Sequence, residues 1–596
     1  MRLSRIVIKN FRVLEFVDAP IKNSVTCVIG ENNTGKSCLI HALRLCLDIN
    51  LSSSYRSLIK EDIYAGVDRS RPFQVLVGIE FEEFRGNDNQ EAMLHGTQVG
   101  DGRARIFYRF RPKRQIREAI AREERDPATL TLDDYSWDLV GGGNPAIDMK
   151  DIEWDDENEA IGATKVGLQY LQAFLVVFLP ALRDVEADLQ QHRKSPLAQL
   201  IEASEISADE QESLIEAIKT ANESIEASPT IRNLATAIDT AFKDVTGPAF
   251  SMDVDLGLSA PTFQAIIRNL KVLLSGQILK TFEPKRNGLG LNNILYIAIL
   301  IEYFRKRAAL GRAAGELLLI EEPEAHLHPQ LQLTLLESLL GLPFQSILTT
   351  HSTHITAKAP LNSFLLLTNR ATAAPHLSTL SGNPLLTGND VNDLERYLDA
   401  TKSSLLFARK VMLVEGAAEL FLIPPLVKQT MDIDLEREGI SLIAIHGTHF
   451  SPFARLFSEQ GLPKKCAIVG DADRNLDEEA EEDDDDIPAE TDLSTLENDF
   501  VKVFLGETTF ERELTIEGNL TILANAAREL GAPRIANALD AADLIGGDME
   551  DEKDRVLRTA KRFGKGRFAQ VTARHIDQSA VLPTYIRQAV EWLMSA

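Results

Sequence analysis

Two apolar rhythms open the chain. Ser4-Arg5-Ile6-Val7-Ile8-Lys9-Asn10-Phe11-Arg12 alternates in the manner of an edge strand, whereas Val25-Thr26-Cys27-Val28-Ile29 is the unbroken apolar run of a buried strand. An apolar helix is expected after it, ending at Leu47. Downstream, Leu317-Leu318-Leu319-Ile320, Ser346-Ile347-Leu348-Thr349, Val411-Met412-Leu413-Val414 and Cys466-Ala467-Ile468-Val469 repeat the short buried-strand pattern. Helices are expected at 294–304 and 392–409. Short buried strands separated by helices predict an α/β fold with parallel sheet.

The stretch 183–247 differs. It is rich in Ala, Leu, Ile, Glu and Lys, with helical spacing at Leu197, Leu200 and Ile201 and again at Leu214, Ile215 and Ile218. It reads as a helical insertion, suited either to dimerisation or to packing within one chain. At 596 residues the chain exceeds what one hydrophobic core usually serves. The expected division is 1–182 and 248–390 as two parts of one domain, 183–247 as its insertion, and 391–596 as a C-terminal domain.

Charge narrows the classes of partner. The 63 Lys and Arg against 89 Asp and Glu leave a net charge of −26, which argues against a protein that coats nucleic acid over its whole surface. Much of the excess lies in 477–486, where only Ala480 is not acidic; such a block repels itself and is expected to be a solvated, mobile loop. Against this background Arg555, Arg558, Lys561, Arg562, Lys565 and Arg567 follow one another with no acid among them, the best local candidate for phosphate contact. No apolar run approaches the roughly 20 residues of a membrane-spanning helix. The N-terminus, with Arg2, Arg5 and Lys9 among its apolar residues, lacks a signal-peptide core, so a cytoplasmic location with no membrane partner is expected. Cys27, Cys38, Cys46 and Cys466 lack close paired spacing and histidine neighbours, so buried small hydrophobes are expected rather than a zinc site or disulfides.

The first buried strand runs into Gly30-Glu31-Asn32-Asn33-Thr34-Gly35-Lys36-Ser37 and then a helix, the strand–loop–helix context of a Walker A P-loop. Glycines let backbone N–H groups close around phosphates; Lys36 reaches the β/γ-phosphates and Ser37 can ligate magnesium. ATP contacts are therefore assigned to Asn32, Asn33, Gly35, Lys36 and Ser37. The run at 317–320 delivers Glu321-Glu322-Pro323-Glu324-Ala325-His326-Leu327-His328-Pro329, a Walker B element in which Glu321 supports magnesium and Glu322 polarises the attacking water. Thr350-His351-Ser352 places His351 where ABC ATPases carry the switch histidine of the γ-phosphate. Between the halves, Lys285-Arg286-Asn287-Gly288-Leu289-Gly290-Leu291-Asn292-Asn293 opens a long helix; in ABC ATPases such a segment serves the nucleotide of the opposing subunit, so Gly288 and Gly290 are nucleotide-binding candidates across a dimer.

In the C-terminal third, the strand at 411–414 leads to Glu415-Gly416-Ala417-Ala418-Glu419, and a helix beginning at Gly416 sets Glu419 one turn beyond Glu415. The strand at 466–469 ends in Gly470-Asp471-Ala472-Asp473, whose acids are two apart and point the same way. Four carboxylates at the carboxyl ends of two parallel strands suit hard divalent ions such as Mg²⁺ or Mn²⁺ and suggest a two-metal phosphodiester site. Together they form a TOPRIM pattern, and Thr509-Phe510-Glu511-Arg512-Glu513 offers further acids.

A split ATPase followed by a TOPRIM pattern resembles the OLD (overcoming lysogenization defect) family of endonucleases, which includes the nuclease subunit of the Gabija anti-phage system. The resemblance spans nearly the whole chain. It is carried by Ile8-Lys9-Asn10-Phe11-Arg12, the P-loop, the segment 321–329, Thr350-His351-Ser352, Leu413-Val414-Glu415-Gly416 with Glu419, Gly470-Asp471-Ala472-Asp473, Phe510-Glu511 and Lys565-Gly566-Arg567-Phe568-Ala569. It implies an SMC/RecF-like ABC ATPase with a helical insertion, then a TOPRIM α/β domain. By the same resemblance Glu415, Glu419, Asp471, Asp473 and Glu511 would bind two metals, and Lys565 would offset charge on the cleaved phosphate. Glu507 and Glu513 near Glu511, and Lys561 near Lys565, are the alternatives for those last two roles. One departure from the family pattern is the acidic run directly after Asp473.

The activity so implied is a divalent-metal-dependent DNA endonuclease regulated by ATP, with one metal at the ATPase site, acting in anti-phage defence or DNA processing. Its implied partners are DNA, a second copy of the chain or a larger homo-oligomer, and a helicase, reverse transcriptase or other defence subunit. The competing expectations are an ATP-gated DNA-binding scaffold with a silent TOPRIM domain and an ATP-sensing, partner-dependent defence subunit.

Overall fold

The computed structural model describes residues 1–100, 102–168, 170–181, 196–246, 252–275, 288–309, 315–370, 373–447, 449–471, 493–545 and 549–595. The expectations for Asp473, the acidic run 477–486, residues 183–195 of the insertion and Lys285-Arg286-Asn287 lie outside the described residues.

Three sheets organise the chain. The first is antiparallel, in the order β2 (Leu14–Pro20), β1 (Arg2–Phe11), β4 (Val75–Glu82), β5 (Ala104–Pro112), β6 (Tyr135–Gly141), β7 (Thr164–Lys165). The expected edge strand β1 is interior, paired with β2 on one side and β4 on the other. Both of its faces are covered, with Ile6 and Ile8 in one core cluster and Val7 in another, and its sequence carried no information about the number of neighbours.

The second sheet runs β12 (Ala373–Thr379), β11 (Phe364–Arg370), β3 (Val25–Gly30), β10 (Gln345–Thr349), β9 (Gly315–Glu321), β8 (Phe174–Leu179), parallel except for β12. Strands distant in sequence thus become neighbours, and β3, β10 and β9 end at one edge, where ligands of parallel α/β sheets bind. The third sheet, β14 (Ile440–Ala444), β13 (Lys410–Val414), β15 (Cys466–Asp471), β16 (Val501–Gly506), is entirely parallel.

The second and third sheets share one core. Val25, Leu318 and Leu348 belong to the same buried cluster as Val411, Leu413 and Ile468, joined through Leu394, Leu405, Leu406, Phe453 and Phe457. The helix expected over 392–409 is shorter and lies earlier, Gly388–Tyr397, started by a Thr387–Asp390 capping box and followed by a separate 3₁₀ turn, Lys402–Leu406. Asp399 causes the break: its carboxylate accepts the backbone N–H groups of Thr401 and Lys402, competing with continued helix. The helix expected over 294–304 extends further, from Leu289 to Ala309.

In the insertion, the described helices are Pro196–Glu202, Ala208–Glu226 and Pro229–Thr246. The second buries no residue and the third only Ala235; Leu214, Ile218, Ile225, Leu234 and Ile238 are exposed. Cys27, Cys46 and Cys466 are buried, Cys38 is partly so, and all four are free. Among the described residues no helix is long and apolar enough to cross a membrane.

Candidate nucleotide and metal sites

The P-loop leaves β3 and enters the helix Lys36–Leu47. Two glycines are dictated by close approach: a Cβ on Gly30 would stand 2.1 Å from the Leu367 carbonyl oxygen, and one on Gly35, at φ +96°, would meet Leu14 Cδ2 at 2.6 Å. Asn32 and Asn33 are exposed, and Asn33 is left-handed at φ 64°. The Lys36 ammonium donates to the carbonyls of Gly30 (3.1 Å) and Glu31 (2.6 Å), so the chain's own backbone occupies the lysine that a triphosphate needs. Burial pulls Lys36 down to about 8, against the carboxylates of Glu322, Glu31 and Glu324.

Sheet register brings the remaining groups alongside. Thr349 of β10 pairs with Glu321 of β9 and with Val28 of β3. Ser37 hydrogen-bonds the Glu321 side chain, whose pKa burial raises despite that bond. Glu322 adopts a left-handed φ of 43°, rare for this residue type, and its N–H donates to the Thr349 carbonyl at 3.0 Å. His351 follows β10; burial first and Lys36 second lower its pKa, so the imidazole is held neutral at pH 7. Its ring packs near Phe407, with centroids 6.1 Å apart.

Glu324 has a definite place that the sequence reading did not assign. Its Oε1 accepts the His351 N–H at 2.6 Å and the Thr350 hydroxyl at 2.8 Å, fixing the loop that carries His351. The signal was available: a third acid three residues after Glu321.

Gly290 is taken up by packing within its own chain, since a Cβ there would lie 2.3 Å from the His326 carbonyl oxygen; nothing lies near a Cβ on Gly288. Asn293, one turn further on, donates to the Ala325 carbonyl. The donor set of Lys36, loop backbone and the paired oxygens of Ser37 and Glu321 fits a magnesium–triphosphate.

The second site sits at the carboxyl end of the third sheet. Val414 pairs with Val469, so Glu415 and Asp471 emerge from adjacent parallel strands. Glu415 Oε1 accepts the Asp471 N–H at 2.8 Å, and Glu419 Oε2 accepts the Gly416 N–H at 3.1 Å, capping the helix Ala417–Met431. Glu511, on the short helix Phe510–Glu513, is buried; its Oε2 faces Lys565 Nζ at 3.1 Å, and its Oε1 has no hydrogen-bond partner. Of the alternatives, Glu513 accepts the N–H and hydroxyl of Thr508, while Glu507 and Lys561 are exposed.

Crowding of like charge in a partly dry site governs the electrostatics. Burial, then Glu415 and Glu419, push Asp471 up to about 8; burial, then Glu511 and Glu415, push Glu419 up to about 7. Burial works against charge on Lys565, but Glu511, Asp471 and Glu419 outweigh it and raise its pKa. Tyr585, from the C-terminal helix Thr584–Met594, lies buried against the same carboxylates, a neighbour with no local sequence signal.

Among the described residues no three Asp, Glu, His or Cys side chains stand in ligating arrangement. Glu415 and Glu419 are turned to backbone N–H groups and Glu511 faces Lys565. The residues nevertheless fit a hard divalent cation: all donors are oxygens, the buried Oε1 of Glu511 has no hydrogen-bond partner, and burial among like charges raises the pKa of both Glu419 and Asp471.

A nucleotide loop with its acids and histidine, joined through one core to a parallel sheet rimmed with carboxylates, defines an ATPase coupled to a TOPRIM domain. Comparison with known families agrees. The chain belongs to the AAA ATPase domain family, whose profile matches residues 1–244 and 150–356. The profile of the overcoming lysogenization defect protein-like TOPRIM domain matches 406–473. The chain is similar to endonuclease GajA of Bacillus cereus (strain VD045), 21% identical over 474 residues, covering 78% of this chain and 74% of that protein. It is similar to the Old nuclease of Escherichia phage P2, 24% identical over 476 residues, covering 75% of this chain and 73% of that one. A solved C-terminal region of the Burkholderia pseudomallei OLD protein aligns at 27% identity over 31% of this chain and 97% of its own length, with a TM-score of 0.26.

Proposed function

We propose that this chain is a divalent-metal-dependent DNA endonuclease under ATP control. The observation that carries the reading is the meeting of Glu415, Glu419, Asp471 and Glu511 with Lys565 at one sheet end. Relatives named as nucleases support it. Glu415, Glu419, Asp471 and Glu511, with Asp473, would hold two Mg²⁺ or Mn²⁺ ions, which when bound supply an activated water and charge neutralisation at a phosphodiester. To ligate, Glu415 and Glu419 release their backbone N–H groups. Lys565, at the start of the helix Lys565–Ala573, offsets negative charge developing on the phosphate. In the ATPase half, Ser37 and Glu321 hold one further metal, Lys36 binds the phosphates, Glu322 orients the attacking water, and His351 contacts the γ-phosphate.

Exposed Arg567 on the helix of Lys565, with exposed Arg558, Lys561 and Arg562 on the helix Glu550–Phe563 before it, supply a path for DNA phosphates across an otherwise acidic protein. The exposed apolar positions of the insertion support assembly with a second copy, in which Gly288 and Gly290 serve the partner's nucleotide. Anti-phage defence or DNA processing in the cytoplasm, alone or with a helicase or other subunit, is the setting this activity suits.

A second reading, an ATP-gated DNA-binding scaffold, is favoured by the hydrogen bonds at the carboxylates, where Glu415 and Glu419 each accept a backbone N–H. Cleavage of supercoiled and linear DNA with Mg²⁺ or Mn²⁺ separates the two. Cutting by the wild type that is lost in Glu415→Ala and Asp471→Ala supports the nuclease. DNA binding without cutting under every metal condition supports the scaffold.

A further inference from the structure

One P-loop side chain points out of the ATPase. Glu31 is largely buried, with its Oε2 3.2 Å from Arg409 Nε and its Oε1 3.7 Å from Lys464 Nζ. Both cations belong to the TOPRIM half, and both stand where strands begin. Arg409 immediately precedes β13, whose last residue Val414 is followed by Glu415; Lys464 lies two residues before β15, which ends in Asp471. Lys464 is itself buried and donates to the carbonyls of Ala408 (2.6 Å) and Leu406 (3.3 Å), tying the two strand starts together.

The same loop residue serves the nucleotide site through its backbone. The Glu31 carbonyl accepts Lys36 Nζ at 2.6 Å, and Lys36 must leave it to reach a triphosphate. A second contact converges on the same segment, since the His351 ring packs near Phe407. Phe407, Ala408 and Arg409 border a half-open groove of about 810 Å³ that extends to Leu442 of β14.

We propose that Glu31, through Arg409 and Lys464, is the positioning residue by which the nucleotide state sets the placement of Glu415 and Asp471. The proposal rests on the nuclease reading only for its first readout. β13 and β15 are five and six residues long, so each spans about 17–20 Å of stiff hydrogen-bonded chain, long enough to carry a small displacement from the P-loop to the carboxylates. A contact of this kind earns the word coupling only if it biases both ends, and coupled sites typically change each other about 5–150-fold.

The experiment compares full-length wild type, Arg409→Gln and Lys464→Met. Arg409 is 74% exposed, so its replacement leaves the fold intact even if Lys464→Met does not. The first readout is the ratio of DNA cleavage rates with and without saturating ATP. The second is amide hydrogen exchange across 410–415 and 466–471 with and without ATP. The wild-type ratio is expected to depart from one by at least about fivefold in either direction, and to return toward one in Arg409→Gln with ATP binding unchanged. Exchange at both strands should respond to ATP in the wild type and not in the variant. An ATP response of full size in Arg409→Gln, or none in the wild type by either readout, overturns the proposal. If the wild type does not cut DNA, the nuclease reading fails and exchange alone decides the coupling.

Discussion

Replacing Asp471 by Asn is expected to stabilise the metal-free protein, and increasingly so as pH rises. The carboxyl moves from 3.8 in the unfolded chain to about 8 in the fold. A raised acid binds a proton in the fold that the unfolded chain has released, so stability is greatest below about pH 4 and is lost as pH climbs toward the folded value. Each pH unit in that window costs about 1.4 kcal/mol, or about 4 kcal/mol between pH 5 and 8. Asp471 is partly open to solvent and shares its field with Glu415 and Glu419, so about half of that, roughly 2 kcal/mol, is expected for Asp471 alone. The assay is thermal and denaturant unfolding of wild type and Asp471→Asn in EDTA at pH 5, 6.5 and 8. The advantage of the variant should grow with pH, and Mg²⁺ at pH 8 should raise the wild-type midpoint far more than that of Asp471→Asn. An advantage that stays flat from pH 5 to 8 would refute the argument from buried like charge.

Other perturbations test separate parts. Glu324→Ala removes the acceptor of the His351 N–H and the Thr350 hydroxyl; about 1–3 kcal/mol of local stability goes with each orphaned donor, and ATP hydrolysis should fall while ATP binding persists. Glu322→Gln should slow hydrolysis by about 10²-fold or more at unchanged ATP affinity, measured by single-turnover kinetics. Gly290→Ala places a methyl 2.3 Å from the His326 carbonyl oxygen, so ATP turnover should drop despite the better helix propensity of alanine; turnover equal to wild type would show that the two segments separate easily. Arg562→Ala and Arg567→Ala should each lower the slope of log DNA affinity against log salt by about one.

Much of the local framework of the candidate sites was legible in the chain because it is built from short segments. Strand, turn and helix follow one another within a few residues around Lys36, and an apolar run that ends in acids announces Glu321 and Asp471 wherever the strand finally sits. Expectations failed where neighbours decide. The pattern of β1 marked a strand but not its interior place between β2 and β4 or the burial of both its faces, and the helix expected to reach 409 ends at Tyr397 because Asp399 captures backbone donors for a new turn.

Side-chain period and turn chemistry are properties of short segments, so the residue types able to do chemistry and the strand end that carries each could be read along the chain. Tertiary structure alone decided their company. It set Thr349 between Val28 and Glu321, brought Glu511, Lys565 and Tyr585 to Asp471, and joined Glu31 to Arg409 and Lys464 across 378 and 433 positions of chain. Those pairings arise from parallel strands that are distant in sequence, and no short window of sequence records them.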